Sequence, residues 1–383
     1  MTASYNILFI QEPSYSSSEW TNLANDPNFN IIKHILIPNV STTESFVNFL
    51  QKCENNNKPI HAIFGGFPAF YPISGLTENI IDLPVFYNNV KCIALCSRGV
   101  NFIDVACLNK HNIKLFHYDE SSTPASLQKF QLNQVSNDVA DCAMWHVLEG
   151  YRKFSSFMKE LIATNHTIKA RQNLILKNDN DCQLDKFVFG HELSIKKGKY
   201  ITSPRDQKVL IMGMGSIGIK IAEKLHYGLG MEVHYTRRTP FKKTDDSIND
   251  QWIYHPMSAL YDDLYQFDTI VVSLPGTPET NHLINSEFLK CCKKEDLILV
   301  NTGRATVFDM AAIEESIQTG QIRHIGMDVF TKEPTVDDIL LNEDYLHLVT
   351  VTPHIGSGTE QVFDQSTNLA IFQLKNYLIN FNQ

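Results

Sequence analysis

Two polar residues, Arg304 and His354, stand directly after strand-like apolar segments, where side chains could bind and protonate a small anion. Arg304 closes Leu299–Arg304, and a guanidinium can donate paired hydrogen bonds to a carboxylate and to a polarised carbonyl oxygen. His354 lies in Thr352–Ser357, and an imidazole can donate a proton near neutral pH. Alone, each would more often be a surface arginine or a loop histidine, so the interpretation depends on the motifs occurring together.

A glycine-rich turn lies between a predicted strand and a predicted helix, in the sequence VLIMGMGSIGIKIAEKL. Gly213, Gly215 and Gly218 form the pattern G-x-G-x-x-G in the context that dinucleotide binding requires. The first glycine permits the tight turn, the second lets the backbone approach a pyrophosphate, and the third lets helix and strand pack closely. Ser216 and Ile217 open the helix, whose N–H groups can bind phosphate.

The next predicted strand ends in Thr236, Arg237 and Arg238. Folds that bind NAD usually place an acid here, about 20 residues after the glycines, to bind the ribose 2′-hydroxyl. This chain has no acid there, and guanidinium groups bind phosphate bidentately. The segment therefore favours NADP over NAD, although the arginines could be ordinary surface charge.

Short apolar runs alternate with helical patterns along the chain, which predicts an α/β fold with parallel sheets. The strand candidates of the first half are Asn6–Gln11, Ile31–Ile37, His61–Gly66, Val90–Ser97 and Ile113–Tyr118. Six more follow: Gln207–Met212, Met231–Tyr235, Thr269–Leu274, Leu297–Asn301, Ile322–Val329 and Leu346–Thr352. Six strands with helical crossovers fit one doubly wound dinucleotide fold.

Helical periodicity marks several segments between and after these strands. They are Thr43–Cys53, a long candidate from Asn137 to Ile162, Ile217–Tyr227, Met310–Thr319 and Glu360–Ile379. The polar segment from about Ala163 to Asp206 has the composition of a surface or linker segment.

Composition excludes several classes of protein. The 383 residues are 43% hydrophobic and 20% charged, with a formal net charge of −9, so nucleic acid and anionic membranes are poor partners. No apolar run is long enough to span a membrane, and the N-terminus lacks the basic region of a signal peptide. The eight cysteines are scattered without metal-ligand spacing, so no metal is expected and a reducing, cytoplasmic location is favoured.

Three motifs stand in a characteristic order: VNTGR at 300–304, MDVFTKEP at 327–334 and PHIGS at 353–357. With TPETNHLI at 277–284 and RGVNFID at 98–104, they closely resemble the D-isomer-specific 2-hydroxyacid dehydrogenase family, which includes glyoxylate and hydroxypyruvate reductases and D-mandelate dehydrogenases. The resemblance covers nearly the whole chain.

The resemblance implies that Arg304, Glu333 and His354 are the catalytic residues, with Glu333 orienting the imidazole and favouring its charged form. It implies that the backbone of the loop Ser97–Asn101, with Arg98, Gly99 and Val100, binds the substrate carboxylate. The remaining cofactor contacts that it implies are Leu274, Pro275, Thr302, Gly303 and Asp328.

The resemblance also implies two α/β domains with the substrate in a cleft between them. A flavodoxin-like substrate domain would comprise residues 1–160 with 357–383, and a Rossmann cofactor domain residues 165–356. Family members are usually homodimers, so a homodimer is expected.

The substrate stays open between a small 2-ketoacid, such as glyoxylate or hydroxypyruvate, and a bulkier or aromatic one. Arg98 and Ala305 depart from the residues usual in the family, and both put the substrate in doubt. A non-catalytic, cofactor-sensing protein resembling a corepressor is the alternative from a different class.

Overall fold

The computed structural model describes residues 5–66, 69–100, 102–118, 133–176, 201–241 and 251–381. The chain divides into two compact units. The first is Met1–Gln134 with Thr359–Gln383, and the second is Val135–Gly358. Each unit contains one sheet with helices on both faces, which confirms the predicted fold class.

The sheet of the first unit has five parallel strands in the order β2-β1-β3-β4-β5. They are β1 (Tyr5–Phe9), β2 (Phe29–Lys33), β3 (Ala62–Gly65), β4 (Cys92–Leu95) and β5 (Lys114–Phe116). Its helices are α1 (Ser18–Ala24), α2 (Thr43–Asn55), α3 (Glu78–Ile81), α4 (Pro84–Tyr87), α5 (Val105–Lys110) and, from the chain end, α13 (Glu360–Asn380).

Alternate residues of these strands supply two apolar layers, because successive strand side chains point to opposite faces. Leu8 faces the layer that includes Phe46 of α2, whereas Ile7 and Phe9 face the layer completed by Leu374 of α13. Helix α13 is therefore part of the core of the first unit.

The sheet of the second unit has seven parallel strands in the order β12-β11-β10-β9-β6-β7-β8. They are β6 (Lys208–Met212), β7 (Glu232–Thr236), β8 (Ile253–Tyr254), β9 (Thr269–Val272), β10 (Leu297–Asn301), β11 (Ile322–Met327) and β12 (Val349–Val351). The strand order reverses between β6 and β9, and ligands bind beside such a reversal in doubly wound sheets.

Helices of the second unit cover both faces of its sheet. They are α6 (Gln134–Arg152), α7 (Phe154–Thr164), α8 (Thr167–Leu176), α9 (Ser216–Glu223), α10 (Leu260–Asp263), α11 (Ser286–Cys291) and α12 (Met310–Gln318). A π-helical turn, Lys224–Gly228, extends α9. No helix of the described residues combines the length and the apolar character needed to cross a bilayer.

Four details differ from the sequence predictions. The long helix predicted from Asn137 to Ile162 is two helices, because Lys153 adopts a left-handed conformation with φ of 54°. Strand β8 was missed because it has two residues, and the start of the predicted strand Leu346–Thr352 is a 3₁₀ turn. The polar segment contains α8, and its residues 177–200 lie outside the described part.

The boundary between the units also differs from the expected one near residue 160. Helix α6 belongs to the second unit because Ala143, Val147 and Tyr151 pack against Val209 and Ile298 of its sheet. The helical periodicity of α6 could not show this, because an amphipathic pattern indicates that a helix packs on an apolar surface but not which surface.

Candidate active site

The turn after β6 has the geometry that its glycines predicted. Gly213 has a φ of 98°, a backbone conformation that residues with a side chain rarely adopt. A Cβ on Gly218 would lie 2.1 Å from the carbonyl oxygen of Gly213, so only glycine permits this contact between helix and turn. A Cβ on Gly215 would meet no atom within 4 Å, which leaves space beside the first turn of α9.

The loops after β9 and β10 close against this turn. Ser273 donates a hydrogen bond of 2.6 Å to the carbonyl oxygen of Gly213, across the point where the strand order reverses. A Cβ on Gly303 would lie 2.6 Å from the carbonyl oxygen of Leu274, so these loops are also in tight contact. Pro275 is exposed and Thr302 is buried at the same edge of the sheet.

The end of β7 brings Thr236, Arg237 and Arg238 to this edge, because Gly213 donates a backbone hydrogen bond of 3.1 Å to Thr236. The guanidinium of Arg237 stacks on the ring of Phe241 at 3.9 Å, and Arg238 is exposed. A hydrogen bond from Thr277, aided by the charge of Arg238, lowers the pKa of Glu279. Among the described residues, Glu279 therefore lies within the electrostatic range of Arg238.

The residues present fit a bound dinucleotide. The space beside Gly215 and the N–H groups at the start of α9 suit a pyrophosphate. Within the described part of the chain, the buried hydroxyls of Thr236 and Thr302 have no hydrogen-bond partner. Buried hydroxyl groups are usually bonded, so both are candidates for contact with a ligand.

The backbone at Arg304 is fixed by its neighbour Asn301, which is fully buried. Asn301 accepts a hydrogen bond from the Gly303 N–H at 3.0 Å and donates one to the Arg304 carbonyl at 3.1 Å. Arg304 is half-buried and also donates to the carbonyl of Gly303 at 2.8 Å. The side-chain amide of Asn301 thus fixes the backbone from which the Arg304 side chain extends. The motif alone did not reveal this role of Asn301.

His354 and Glu333, which lie 21 positions apart in the sequence, meet in the second unit. Nδ1 of His354 lies 3.0 Å from Oε1 and 2.9 Å from Oε2 of Glu333, and Oε1 also accepts a hydrogen bond from the Phe330 N–H. The hydrogen bond with Glu333 raises the pKa of His354 despite burial, which opposes the shift. Burial alone would raise the pKa of Glu333, but the contacts with His354 and Phe330 lower it.

These opposite pKa shifts favour an imidazolium beside a carboxylate. Since Nδ1 faces Glu333, the nitrogen that can face a substrate is Nε2. The predicted catalytic residues His354 and Glu333 are therefore in contact, and Arg304 lies near enough for its charge to lower the pKa of both side chains.

Comparison with known proteins agrees with this geometry. Residues 177–356 match the family model described as "D-isomer specific 2-hydroxyacid dehydrogenase, NAD binding domain". A Saccharomyces cerevisiae protein provisionally named as a 2-hydroxyacid dehydrogenase is 43% identical over 375 residues, covering 97% of this chain and 93% of the yeast protein. The chain belongs to the D-isomer-specific 2-hydroxyacid dehydrogenase family. It is an oxidoreductase that acts on the CH–OH group of 2-hydroxyacids with a nicotinamide cofactor.

More distant relatives extend the comparison. Glyoxylate/hydroxypyruvate reductase B of Serratia proteamaculans is 31% identical over 273 residues, covering 71% of this dehydrogenase and 70% of the reductase. The crystal structure of holo D-mandelate dehydrogenase from Rhodotorula graminis superimposes with a TM-score of 0.76. That alignment covers 98% of this chain and 94% of the other at 20% identity, which supports the fold.

Asp328 was expected to contact the cofactor, and that contact stays a prediction. Its carboxylate also forms hydrogen bonds within the protein. One oxygen accepts hydrogen bonds from the Thr352 hydroxyl at 2.6 Å and the Ile355 N–H at 2.9 Å. The other oxygen accepts the Gly356 N–H at 2.9 Å. Asp328 therefore holds the two ends of the loop that carries His354.

The predicted substrate loop follows β4 and belongs to the first unit of the dehydrogenase. Ser97 donates a hydrogen bond of 3.0 Å to the carbonyl of Gly99, and Val100 packs on the core of that unit. Arg98 is exposed, and Asn101 lies outside the described residues. The contacts of the described residues in this unit do not show how Arg98 would bind a substrate carboxylate, so its role stays a prediction.

Proposed function

We propose that this dehydrogenase reduces a small 2-ketoacid, such as glyoxylate or hydroxypyruvate, with NADPH as the favoured hydride donor. The supporting observation is the contact between Nδ1 of His354 and both carboxylate oxygens of Glu333, 2.9 and 3.0 Å away. This contact orients Nε2 and keeps the imidazole protonated, as an acid catalyst requires.

The catalytic residues divide the work of reduction. Arg304 binds the substrate carboxylate and draws electron density toward the ketone oxygen. A nicotinamide cofactor held beside Gly215 and the first turn of α9 would supply the hydride that the ketone carbon receives. His354 donates the proton on Nε2 to the ketone oxygen, which becomes the hydroxyl of the product. The neutral imidazole that results is still oriented by Glu333 and regains its proton from water, since the side chain is partly exposed.

Arg237 and Arg238 support the choice of NADPH. Arg238 is exposed at the end of β7, and Arg237 is oriented by its stacking on Phe241. Both can donate paired hydrogen bonds to a 2′-phosphate. Glu279, whose pKa the charge of Arg238 helps to lower, follows β9 and is not in the position after β7 that would bind a 2′-hydroxyl.

An exposed apolar face supports the proposal that the enzyme is a homodimer. On α7 the side chains of Met158 and Ile162 are 59% and 75% exposed, with Phe154 and Leu161 also exposed beside them. Contiguous apolar surface of this kind marks interaction sites in soluble proteins. The buried free thiols, such as Cys92 and Cys292, support the cytoplasm as the compartment.

A matrix of initial rates tests the proposed function. The rates of NADPH and NADH oxidation would be followed by absorbance with glyoxylate, hydroxypyruvate, pyruvate, 2-ketoisocaproate and phenylglyoxylate. We expect the highest kcat/KM with NADPH and either glyoxylate or hydroxypyruvate. A maximum with 2-ketoisocaproate or phenylglyoxylate would replace the small substrate with a bulky one. Cofactor binding without turnover of any acid would favour the sensor alternative.

A further inference from the structure

A chain of hydrogen bonds runs through the interior of the second unit and ends at the loop of His354. It connects side chains of α6, β11 and β12 with the residues that follow these elements. Its members are Lys153, His324, Thr350, His146, Thr352 and Asp328. Four of these side chains are at most 3% exposed, namely Lys153, His324, His146 and Asp328. Bulk water therefore cannot replace the hydrogen bonds that they make with the other members of the chain.

The direction of every bond in this chain follows from its last member. The carboxylate of Asp328 accepts, so the Thr352 hydroxyl donates to it, at 2.6 Å. Thr352 must then accept from Nε2–H of His146, at 3.1 Å. Burial lowers the pKa of His146 to about 3, so this imidazole is neutral and carries one proton. Its Nδ1 consequently accepts from the hydroxyl of Thr350, at 2.7 Å.

The same reasoning continues to the other end. Thr350 donates to His146, so it accepts from Nε2–H of His324, at 3.0 Å. Burial and the nearby charge of Lys153 lower the pKa of His324, so this ring is also neutral. Its Nδ1 accepts from Nζ of Lys153, at 3.1 Å. The chain thus begins at a group that donates and ends at a carboxylate, with every proton pointing the same way.

The backbone is built around this chain. A Cβ on Gly326 of β11 would lie 2.6 Å from Cβ of His146, so only glycine admits the histidine here. Gly150 likewise lets α6 approach the ring of His324, which a Cβ would meet at 3.2 Å. Lys153 reaches the chain only because it interrupts the two helices with a φ of 54°. Three separate elements therefore accommodate one buried polar network.

We propose that this directed hydrogen-bond chain positions the catalytic loop, and that Thr352 and His146 are positioning residues for proton transfer by His354. Asp328 holds the Ile355 and Gly356 N–H groups, and the hydroxyl of Thr352 fixes that carboxylate from behind. The inference rests on the proposed role of His354 as the acid. It assigns part of that role to residues that do not touch the substrate.

Disruption of the hydrogen-bond chain should change the position and the electrostatic surroundings of His354, while its role as a proton donor stays the same. Among the described residues, the charged groups that shift the pKa of the imidazole include Glu333 and Asp328, which raise it, and Arg304, which lowers it. If Asp328 loses the hydroxyl of Thr352, its carboxylate can turn and the loop shifts relative to Glu333. Proton transfer is sensitive to such shifts, because the donor must lie within hydrogen-bond distance of the acceptor.

The matched variants are Thr352→Val, which keeps the shape and removes the hydroxyl, and Thr352→Ser, which restores it. We expect Thr352→Val to lower kcat about tenfold, to change KM less than about twofold and to move the pH profile of kcat, as loss of a charge-assisted hydrogen bond implies. Thr352→Ser should recover most of kcat. Thr319→Val, which removes an exposed hydroxyl on α12's end, should leave the rates and the profile unchanged.

A spectroscopic measurement tests the direction of the chain without relying on activity. In the intact protein, ¹⁵N chemical shifts of the imidazoles should show His146 and His324 neutral and protonated on Nε2. In Thr352→Val the signals of His146 should move, because its Nε2–H loses its acceptor. A proton on Nδ1 of His146, or a charged His146 at neutral pH, would overturn the assignment.

The outcomes separate this inference from the proposed function. If His354→Ala loses turnover and Thr352→Val keeps the wild-type kcat and pH profile, the chain does not position the histidine. If His354→Ala keeps full turnover, the role of the histidine itself is wrong. A Thr352→Val protein with lowered thermal stability but an unchanged pH profile would show a structural role only, and would also overturn the inference.

Discussion

Glu333 holds His354 through both of its carboxylate oxygens, and this contact determines the pH range in which the histidine can act as an acid. The pKa of His354 is raised above the ordinary value of 6.5, first by the hydrogen bond with Glu333. Reduction uses the protonated ring, so its rate should be constant at low pH and fall as the pH rises through this raised pKa. Oxidation of the hydroxyacid uses the neutral ring and should show the opposite trend.

Replacement of Glu333 by Gln removes the charge that favours the imidazolium. Burial and Arg304 both lower the pKa of His354, so the falling limb of the reductive pH profile should move to lower pH. At neutral pH we expect a loss of kcat of about tenfold or more, since a positioned general acid contributes roughly 10²–10⁴-fold. The measurement is kcat/KM for reduction from pH 5 to 9, and an unmoved limb would exclude Glu333 as the partner.

Arg238 is exposed at the end of β7, where a 2′-phosphate would distinguish the two cofactors. The variant Arg238→Ser should raise the KM for NADPH by about tenfold or more, because a charge-assisted hydrogen bond is lost. The KM for NADH should change little. Arg205→Ser, at another exposed arginine of the same unit, is the control. An equal rise in the KM for NADPH and for NADH would show that Arg238 does not bind the 2′-phosphate.

In the turn between β6 and α9, we expect one glycine to be needed for cofactor binding and another for folding. They are Gly215 and Gly218, respectively. Gly215→Ala introduces a methyl group into empty space at a φ of −89°, so the protein should fold normally. Its affinity for a nicotinamide cofactor should fall strongly, because the methyl group occupies the pyrophosphate position. Gly218→Ala places a methyl group 2.1 Å from a carbonyl oxygen and should lower the melting temperature itself.

Thermal melts and cofactor titrations of the two variants check this pair of expectations. Ordinary replacement of glycine by alanine within a helix is favourable by about 1 kcal/mol, so a destabilised Gly218→Ala reports the clash and not helix propensity. A Gly215→Ala protein that binds the cofactor as well as the original would place the pyrophosphate elsewhere.

Sequence patterns predicted these elements unequally. Leu297–Asn301 was predicted with its observed bounds, because a buried parallel strand is a continuous apolar run. The break at Lys153 was not predicted, since the helical periodicity continues through it and Lys153 meets His324 only in the folded chain. The task of Asp328 was missed for the same reason. Its partners Thr352 and Gly356 become neighbours only when β11 and β12 pair.

At the scale of the whole molecule, the joint order of the motifs predicted the family and the fold class. It did not predict which unit α6 joins, because both sheets have apolar cores and the close contact between Gly150 and Ile298 forms only in the folded chain. The substrate is also beyond the motifs. The candidate loop Ser97–Val100 belongs to one unit, whereas Arg304 and His354 belong to the other.

The exposed face of α7 leads to a prediction about assembly. Light scattering of the purified enzyme should give twice the mass of the chain, and Ile162→Asp should convert it to a monomer, because a charge in an apolar interface is not paired. Leu341→Asp, at another exposed apolar residue of the same unit, should leave the dimer intact. A monomeric wild-type protein would assign the face of α7 to something other than a second copy.

A comparison of His354→Ala with the unchanged enzyme tests directly whether His354 is the acid of a 2-ketoacid reductase. Both would be assayed with NADPH and glyoxylate or hydroxypyruvate, after a titration shows that both bind the cofactor equally. We expect kcat of His354→Ala to be lower by about 10²-fold or more while cofactor affinity is retained. Full turnover by His354→Ala would contradict this role of His354.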